Sequence, residues 1–442
     1  MHIGRWMTPG VRRASLAALL VAVVLFPGAA LRMSARHCRG DCPSDGRVLW
    51  TSALPGSWIA EGTAGTVAAA GQAHAAIGHG VAVVGFGLTV DAMDASTGFP
   101  RWTATLSGLP AGAEVASVRV FPAVVAVGVQ MPAAGSVPAS PGPARGAGAG
   151  RGIAAASSAP WEEVVLNAVT GETIRRYPAA AYGGAVSASL SRTVIVGPSS
   201  VTSYANATGK LVWRDPIGSA GQAWQVDGGY VYVTVSVGGQ LGTAPVTAVR
   251  QIDMRDGAER LIQPSGGPFS GQFSGVAYGV LLFTDASGLN IYSATSGRLI
   301  TRRPGAVPAG IDPVRQVLYI DVGGSLVGID PATGLDEPQT RVTSPQGTYG
   351  IRAGVALGLD PGASGAVWGY SIARRRVIWT TRSLPWPHYF VSPSGIGGSE
   401  DPASGAVLLA TCAKTGRQIS VSAPAGGPAF SCLRPALVEI SR

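Results

Sequence analysis

Few residues in this chain have the type and spacing that chemistry requires. Its 442 residues include five histidines and four cysteines, with 33 basic and 24 acidic side chains. His74 and His79 flank Ile77-Gly78 in a stretch leading to the apolar run Val81 to Val84, and His388 lies in Pro385-Trp386-Pro387-His388-Tyr389-Phe390. Acyl transfer would need a nucleophile and an orienting acid around such a histidine, and no Ser-His-Asp spacing or nucleophile elbow accompanies any of the three. A calcium site would need several oxygen ligands on one point. The candidate carboxylates Asp312, Asp321 and Asp330 instead sit at separate turn positions inside a repeat, where Asp is a turn former. No catalytic, cofactor or metal residue is assigned.

Two further groups invite a reading. Trp386, His388, Tyr389 and Phe390 would make a rigid aromatic protrusion if exposed, suited to contact with a protein or a sugar; otherwise they are a loop folded over the end of a sheet. Cys38, Cys42, Cys412 and Cys432 allow three pairings. In an oxidising compartment Cys412 with Cys432 would close a moderate loop and stabilise it by a few kcal/mol, leaving Cys38 with Cys42 as a small loop. The rival pairing joins the N-terminal segment to the C-terminal strands. Cys38 and Cys42 beside His37 could mimic a metal site, but two cysteines on a short stalk fall short of a tetrahedral set.

The elements that would position these residues repeat. The phrase Val90-Asp91-Ala92-Met93-Asp94-Ala95-Ser96-Thr97-Gly98-Phe99-Pro100-Arg101-Trp102 recurs in weaker form, and its glycine can be followed through Gly98, Gly171, Gly209, Gly257, Gly297, Gly334 and Gly416. The gaps are 73, 38, 48, 40, 37 and 82 residues. The first falls to 43 without the Ala, Gly, Ser and Pro stretch at about 131–160, which is too poor in apolar bulk to fold. The last halves to 41 if Arg375 takes the glycine position ahead of Trp379. A period near 40 residues marks blades or coils about an axis.

An alternating apolar strand such as Ser325 to Asp330 precedes each glycine and a short strand such as Lys210 to Trp213 follows, so the glycine is a hairpin signal. Ahead of each pair lies a more apolar run, such as Val276 to Phe283, fit for an inner strand buried on both faces. With no helical period after residue 35, the chain reads as an all-β propeller of eight blades, seven remaining open because one copy is degenerate. Asp45-Gly46-Arg47-Val48-Leu49-Trp50 is the tail of the phrase without its leading strands, and Phe430 to Ile440 is strand-like and otherwise unpaired. Pairing the two would remove the open edges of the ring.

Ala92, Asp94, Thr97, Gly98 and Trp102 match the Ala-x-Asp-x-x-Thr-Gly-x-x-x-Trp signature of the pyrroloquinoline quinone (PQQ)-like propellers, and the chain resembles that superfamily from Asp45 to its C-terminus. Asn167, Thr170 and Gly171; Thr208, Gly209 and Trp213; Asp253 and Gly257; and Asp330, Thr333 and Gly334 keep parts of the signature. The resemblance implies a repeat in which Gly turns a hairpin, Asp or Thr satisfies turn amides and Trp packs on the next blade. The superfamily includes quinoprotein alcohol dehydrogenases and non-catalytic BamB-like assembly lipoproteins. The dehydrogenases present a disulfide of adjacent cysteines to PQQ and hold calcium beside a catalytic Asp. This chain has no Cys-Cys pair and no compact acidic cluster.

Arg5, Arg12 and Arg13 precede an apolar run from Ala14 to Leu31. It is either a signal anchor retained in the membrane or a signal peptide with Leu16 to Phe26 as apolar core and Gly28-Ala29-Ala30 as cleavage site. The anchor is favoured, because no charge interrupts the run before Arg32. Residues 1–40 are thus anchor and stalk and 41–442 the propeller, outside the membrane or, on the other reading, secreted. Those first 40 residues carry six arginines and no acid, leaving about +3 of the net charge of +9 on the rest. The excess fits membrane topology rather than nucleic-acid binding. The near absence of lysine beside abundant Ala and Gly suggests a GC-rich, actinobacterial source.

These features imply a non-catalytic, membrane-tethered extracytoplasmic scaffold whose partner is another envelope protein or a cell-wall ligand, with no cofactor. One alternative is a PQQ- and calcium-dependent oxidoreductase. The other is a sensor of an envelope sugar or small ligand.

Overall fold

Short runs of Val, Ile, Leu and Ala punctuated by Gly-containing turns can only bury themselves as narrow antiparallel sheets, and eight such sheets form. The structure is a computed structural model. It describes residues 48–53, 58–61, 74–132, 161–179, 184–197, 199–217, 223–236, 246–338, 340–343, 348–359, 367–381, 388–390, 407–419 and 429–440. All belong to the second of two units, residues 44–442. Residues 1–40, Cys38, Cys42, Trp386 and most of the insert at 131–160 lie outside the described residues. Among the described residues no helix is long and apolar enough to cross a membrane.

Blade 1 shows the plan. Its strands A to D are His74–Gly78, Val81–Phe86, Thr89–Asp94 and Pro100–Thr105, each antiparallel to the next. Blades 2 to 7 repeat that order over 114–179, 184–216, 224–262, 272–304, 306–343 and 348–380. Blade 8 draws its inner strands His388–Phe390, Val407–Ile419 and Ala429–Ile440 from the C-terminal end, and its outermost place is filled by Val48–Ala53 and Trp58–Glu61. Val48 stands opposite Ile440, Ala53 opposite Ala436 and Trp58 opposite Cys432. Strand A of blade 1 comes against Val407–Ile419 of blade 8. The fold is an all-β propeller of eight blades, closed by pairing of the two ends.

The core is distributed over the seams between blades. Val83, Val90 and Ala92 meet Val115, Val118 and Val127 between blades 1 and 2. Val194 and Val196 meet Val231 and Val233 between blades 3 and 4, and Leu282 and Ile291 meet Leu318 and Ile320 between blades 5 and 6. Burial on both faces explains the unbroken apolarity of second strands such as Val81–Phe86 and Val317–Val322.

The apolar run ahead of each hairpin is the second strand, an inner one buried at nearly every position, as in Val81–Phe86 and Val124–Gln130. Three expectations need correction. Val276 to Phe283 is not one strand: a turn at Tyr278-Gly279 splits it into the end of strand A and the start of strand B. Innermost strands are more mixed, and Trp224–Asp227 is half-buried throughout. His74 begins strand A of blade 1 rather than lying in a loop. Gly416 lies within the long strand Val407–Ile419 and turns no hairpin. Because the outer strand of blade 8 comes from the other end of the chain, that blade has no third-to-fourth-strand turn for a glycine to make.

Alternating strand direction puts the A–B and C–D connections at one end of every blade and the B–C and D–A connections at the other. We call these the turn face and the loop face. On the turn face the two connections are bonded: the amide of Ala95 donates to the Gly80 carbonyl at 3.0 Å, Ala294 to Gly279 at 2.8 Å and Ile372 to Gly354 at 3.0 Å. The insert at 131–160 joins strands B and C of blade 2, on the loop face.

Candidate functional site

The repeated phrase builds one C–D turn seven times. The glycine amide donates to the carbonyl four residues back, as from Gly98 to Asp94 at 2.8 Å, Gly171 to Asn167 at 2.9 Å and Gly334 to Asp330 at 2.8 Å. Ending such a turn requires a left-handed residue. Gly98, Gly171, Gly209, Gly257, Gly297 and Gly334 have φ between 69° and 79°, and Arg375 supplies the same conformation at 54°.

Except in blade 3, where it is Ala205, the first residue of the turn uses its side chain on the turn's own amides. Asp94 Oδ1 accepts from Ser96 at 2.9 Å and Thr97 at 3.1 Å, and Asp94 Oδ2 accepts from Arg101 at 2.6 Å. Those hydrogen bonds hold its carboxyl far below the usual carboxylate range despite some desolvation. Asn167 Oδ1 accepts from Val169 and Thr170, Asp253 Oδ1 from Arg255, and Asp330 Oδ1 from Ala332. Thr97 and Thr333 hydroxyls accept from Phe99 and Leu335. A carboxylate so occupied has little left to offer a substrate or an ion.

The end of the phrase works on the next blade. Trp102 Nε1 donates to the Ala168 carbonyl at 2.9 Å, and its ring lies 2.6 Å from where a Cβ on Gly171 would stand. Trp213 covers Gly257 at 2.8 Å, but its Nε1 is buried without a hydrogen-bond partner among the described residues. Arginine crosses other seams: Arg175 donates to the carbonyls of Asn206 and Ala207, and Arg260 to that of Ala294. The seam therefore takes a flat side chain, Trp or Arg, which at Trp102, Arg175 and Arg260 also gives an N–H to the next blade. Trp379 departs from the pattern by lying over Gly369 of its own sheet.

Sequence reasoning missed several buried polar groups that hold blades together. Asp312 is fully buried at the A–B turn of blade 6. Its Oδ1 accepts from Val314, Arg315 and Ala353, and its Oδ2 from Gly354 of blade 7 at 2.6 Å. Asn206, first of an Asn-Ala-Thr sequon, is also fully buried. Its Oδ1 accepts from Tyr177 Oη at 2.6 Å and Thr193 Oγ1 at 2.8 Å, while its Nδ2 donates to the Ser189 carbonyl, so it offers no amide to a glycan. Glu163, at 1 % exposure, is pushed up to about 6 by burial, with Arg119 opposing the shift. Burial takes His74 down to about 4. Tyr278 Oη is buried without a hydrogen-bond partner among the described residues, and burial beside Asp312 and Asp227 moves it up to about 12. Asp312 had a local signal as a turn former, and its bonds to Val314 and Arg315 agree with it; its bonds to blade 7, and the surroundings of the other groups, had none, since they depend on a neighbouring blade or strand.

These groups do not converge. A small hollow among the inner strands of blades 4, 5 and 6 is lined by Gln225, Val276, Ala277, Leu282, Pro308 and Ile311. Gln225 Oε1 there already accepts from Val276 at 2.8 Å. Among the described residues no three His, Cys, Asp or Glu side chains are grouped to hold a metal ion. The described carboxylates Asp94, Asp253 and Asp330 face their own turns. Cys412 and Cys432 lie on paired strands opposite Pro435 and Thr415. Their side chains, and those of His388, Tyr389 and Phe390 on the inner strand of blade 8, lie outside the described residues.

No protein-family model matches the chain, and no curated protein matches it. Among solved structures it is similar to BamB from Moraxella catarrhalis, at 16% identity over 79% of this chain and 95% of that one, with a TM-score of 0.38. It is similar to a europium-containing methanol dehydrogenase at 11% identity over 83% and 85%, with a TM-score of 0.45. A third similarity is to the C-terminal WD40 domain of Sif2, at 9% identity over 91% and 100%, with a TM-score of 0.46. The propeller assignment itself rests on the strand ladders of this chain.

Proposed function

We propose that this protein is a non-catalytic, membrane-tethered propeller outside the cytoplasm that serves as a binding or assembly scaffold. The observation that carries the reading is how the repeat uses its polar residues: Asp94, Asn167, Asp253 and Asp330 each cap the turn they begin. Asp312 and Asn206 are consumed in joining or filling blades. A rigid ring built this way holds variable loops in fixed relation, which suits a platform that binds without transforming. Tethering and an outside location are supported by the arginine-flanked apolar run Ala14 to Leu31 and its asymmetric charge. The partner is another envelope protein or a cell-wall ligand, met on the loop face or at the central opening.

The competing oxidoreductase reading is tested by titrating the purified full-length protein with PQQ and calcium, following absorbance and fluorescence. No stoichiometric uptake is expected. Tight uptake at one equivalent would replace the scaffold with an enzyme. Capture of a defined protein from envelope extracts, with no retention on immobilised cell-wall sugars, separates scaffold from sugar sensor.

A further inference from the structure

The C–D turn of blade 7 is where the repeat breaks its own rule. Arg375 occupies the left-handed position that six other copies give to glycine, a conformation any Cβ disfavours. It stands between Arg374 and Arg376, and all three are exposed. Arg315, also exposed, reaches from blade 6 to within 2.8 Å of the place a Cβ on Gly354 would take. The Gly354 carbonyl accepts from Ile372 at the start of the arginine turn, so that turn begins beside the residue Arg315 approaches, and all four arginines belong to neighbouring turns of the turn face. Among the described residues none of the four makes an ion pair. The described part of blade 7 contains no carboxylate, and nearby Asp312 is buried and saturated with amide donors. After residue 40 the net charge is +9 − 6 = +3, so without these four arginines the remainder would carry +3 − 4 = −1.

The same face receives the chain. Val48 pairs with Ile440 at the turn-face end of blade 8, the blade that follows the arginine turn. Between the apolar run and Val48 lie residues 32–47, a tether that reaches at most about 55 Å. On the tethered reading, a bilayer that holds the run lies within that reach of Val48.

We propose that Arg315, Arg374, Arg375 and Arg376 dock the turn face on anionic phospholipid headgroups of the membrane that holds the N-terminal run, leaving the loop face outward for partners. The proposal rests on the tethered reading above. Lipid headgroups fit better than nucleic acid, because the exposed residues of the turn, Ala373 to Val377, include no aromatic ring on which a base could stack. Arginines spread over a turn need only a diffuse anionic surface, each contributing about fivefold in partitioning.

The test uses the full-length protein in lipid nanodiscs of phosphatidylcholine alone or mixed with phosphatidylglycerol, with hydrogen exchange read at the amides of residues 371–377. Exchange should slow in the mixed discs only, and recover in high salt as the headgroup field is screened. The variant Arg374→Gln, Arg375→Gly, Arg376→Gln should lose the protection, its docked-to-free ratio falling about a hundredfold. Arg375→Gly alone, which restores the residue other blades use, controls for damage to the turn and should keep most of the protection. Equal exchange in both discs, with the protein still held in them, overturns the docking and leaves the tether standing. A protein that enters neither disc overturns the tether, and the docking with it. Equal protection by a single-stranded oligonucleotide in neutral discs would overturn the lipid assignment in favour of a general polyanion site.

Discussion

At Arg375 the chain tolerates a backbone conformation that six of its repeats reserve for glycine. Arg375→Gly is expected to raise unfolding stability by about 1 kcal/mol, because relief of the left-handed penalty outweighs the extra freedom of an unfolded glycine. A denaturant midpoint that falls instead would mean that Arg375 makes a contact worth more than its strain. Glu163 makes a second residue-scale prediction. Its folded-state value of about 6 lies above the ordinary 4.5, so its stabilising contribution is complete below pH 4.5 and is lost as pH rises through 6. That loss amounts to roughly 2 kcal/mol. His74 acts in the opposite sense, favouring the fold above pH 6.5 and costing stability as pH falls toward 4. The two are separated by comparing wild type with Glu163→Gln from pH 4.5 to 7. Wild type should lose ground to the variant across that window, and a constant difference would remove Glu163 as the cause.

At the scale of elements, hairpins are joined by polar groups that reach across strands and blades. Asn206 sits at the centre of one such set, with Tyr177, Thr193 and the Ser189 carbonyl all depending on it. Asn206→Ala should cost about 3 kcal/mol, since it strands buried partners that have no water to turn to. Thr208→Ala, which destroys the same sequon at an exposed position, should change stability by less than about 0.5 kcal/mol. Calorimetry of the pair distinguishes a structural amide from a glycan acceptor: similar effects of the two changes would defeat the structural account. Seams closed by Trp102 or by Arg175 show why the repeat looks degenerate in sequence. One carbonyl geometry accepts either donor, so side-chain identity drifts while the contact is kept.

At the scale of the whole molecule, the ring is shut by strands from opposite ends of the chain, and Ala429–Ile440 has no other outer partner than Val48–Ala53 and Trp58–Glu61. Deleting residues 44–61 should leave that strand as an open edge and produce dimers or aggregates, seen by light scattering. A circular permutant that joins the two ends and opens the C–D turn of blade 3 should stay monomeric, because closure then passes to an equivalent position. A truncated protein that remains monomeric and equally stable would show that the closing strands contribute little.

Sequence alone determined the repeat, most of its turn glycines and the pairing of the ends, because these are written in local grammar at a constant spacing, and it favoured eight blades while the degenerate copy at Arg375 left seven open. It read an inner strand buried on both faces, but joined Val276 to Phe283 into one run, since composition does not mark the Tyr278-Gly279 turn between strands A and B. It also carried Gly416 one hairpin too far. Only the tertiary structure decided which buried polar residues bind one blade to another, as with Asp312 and Asn206. Only there do Arg315 and the arginine turn, about sixty residues apart in the chain, share a face with the strand by which the chain enters the ring. Contacts between blades are set by the curvature of the ring, and no window of consecutive residues contains that curvature.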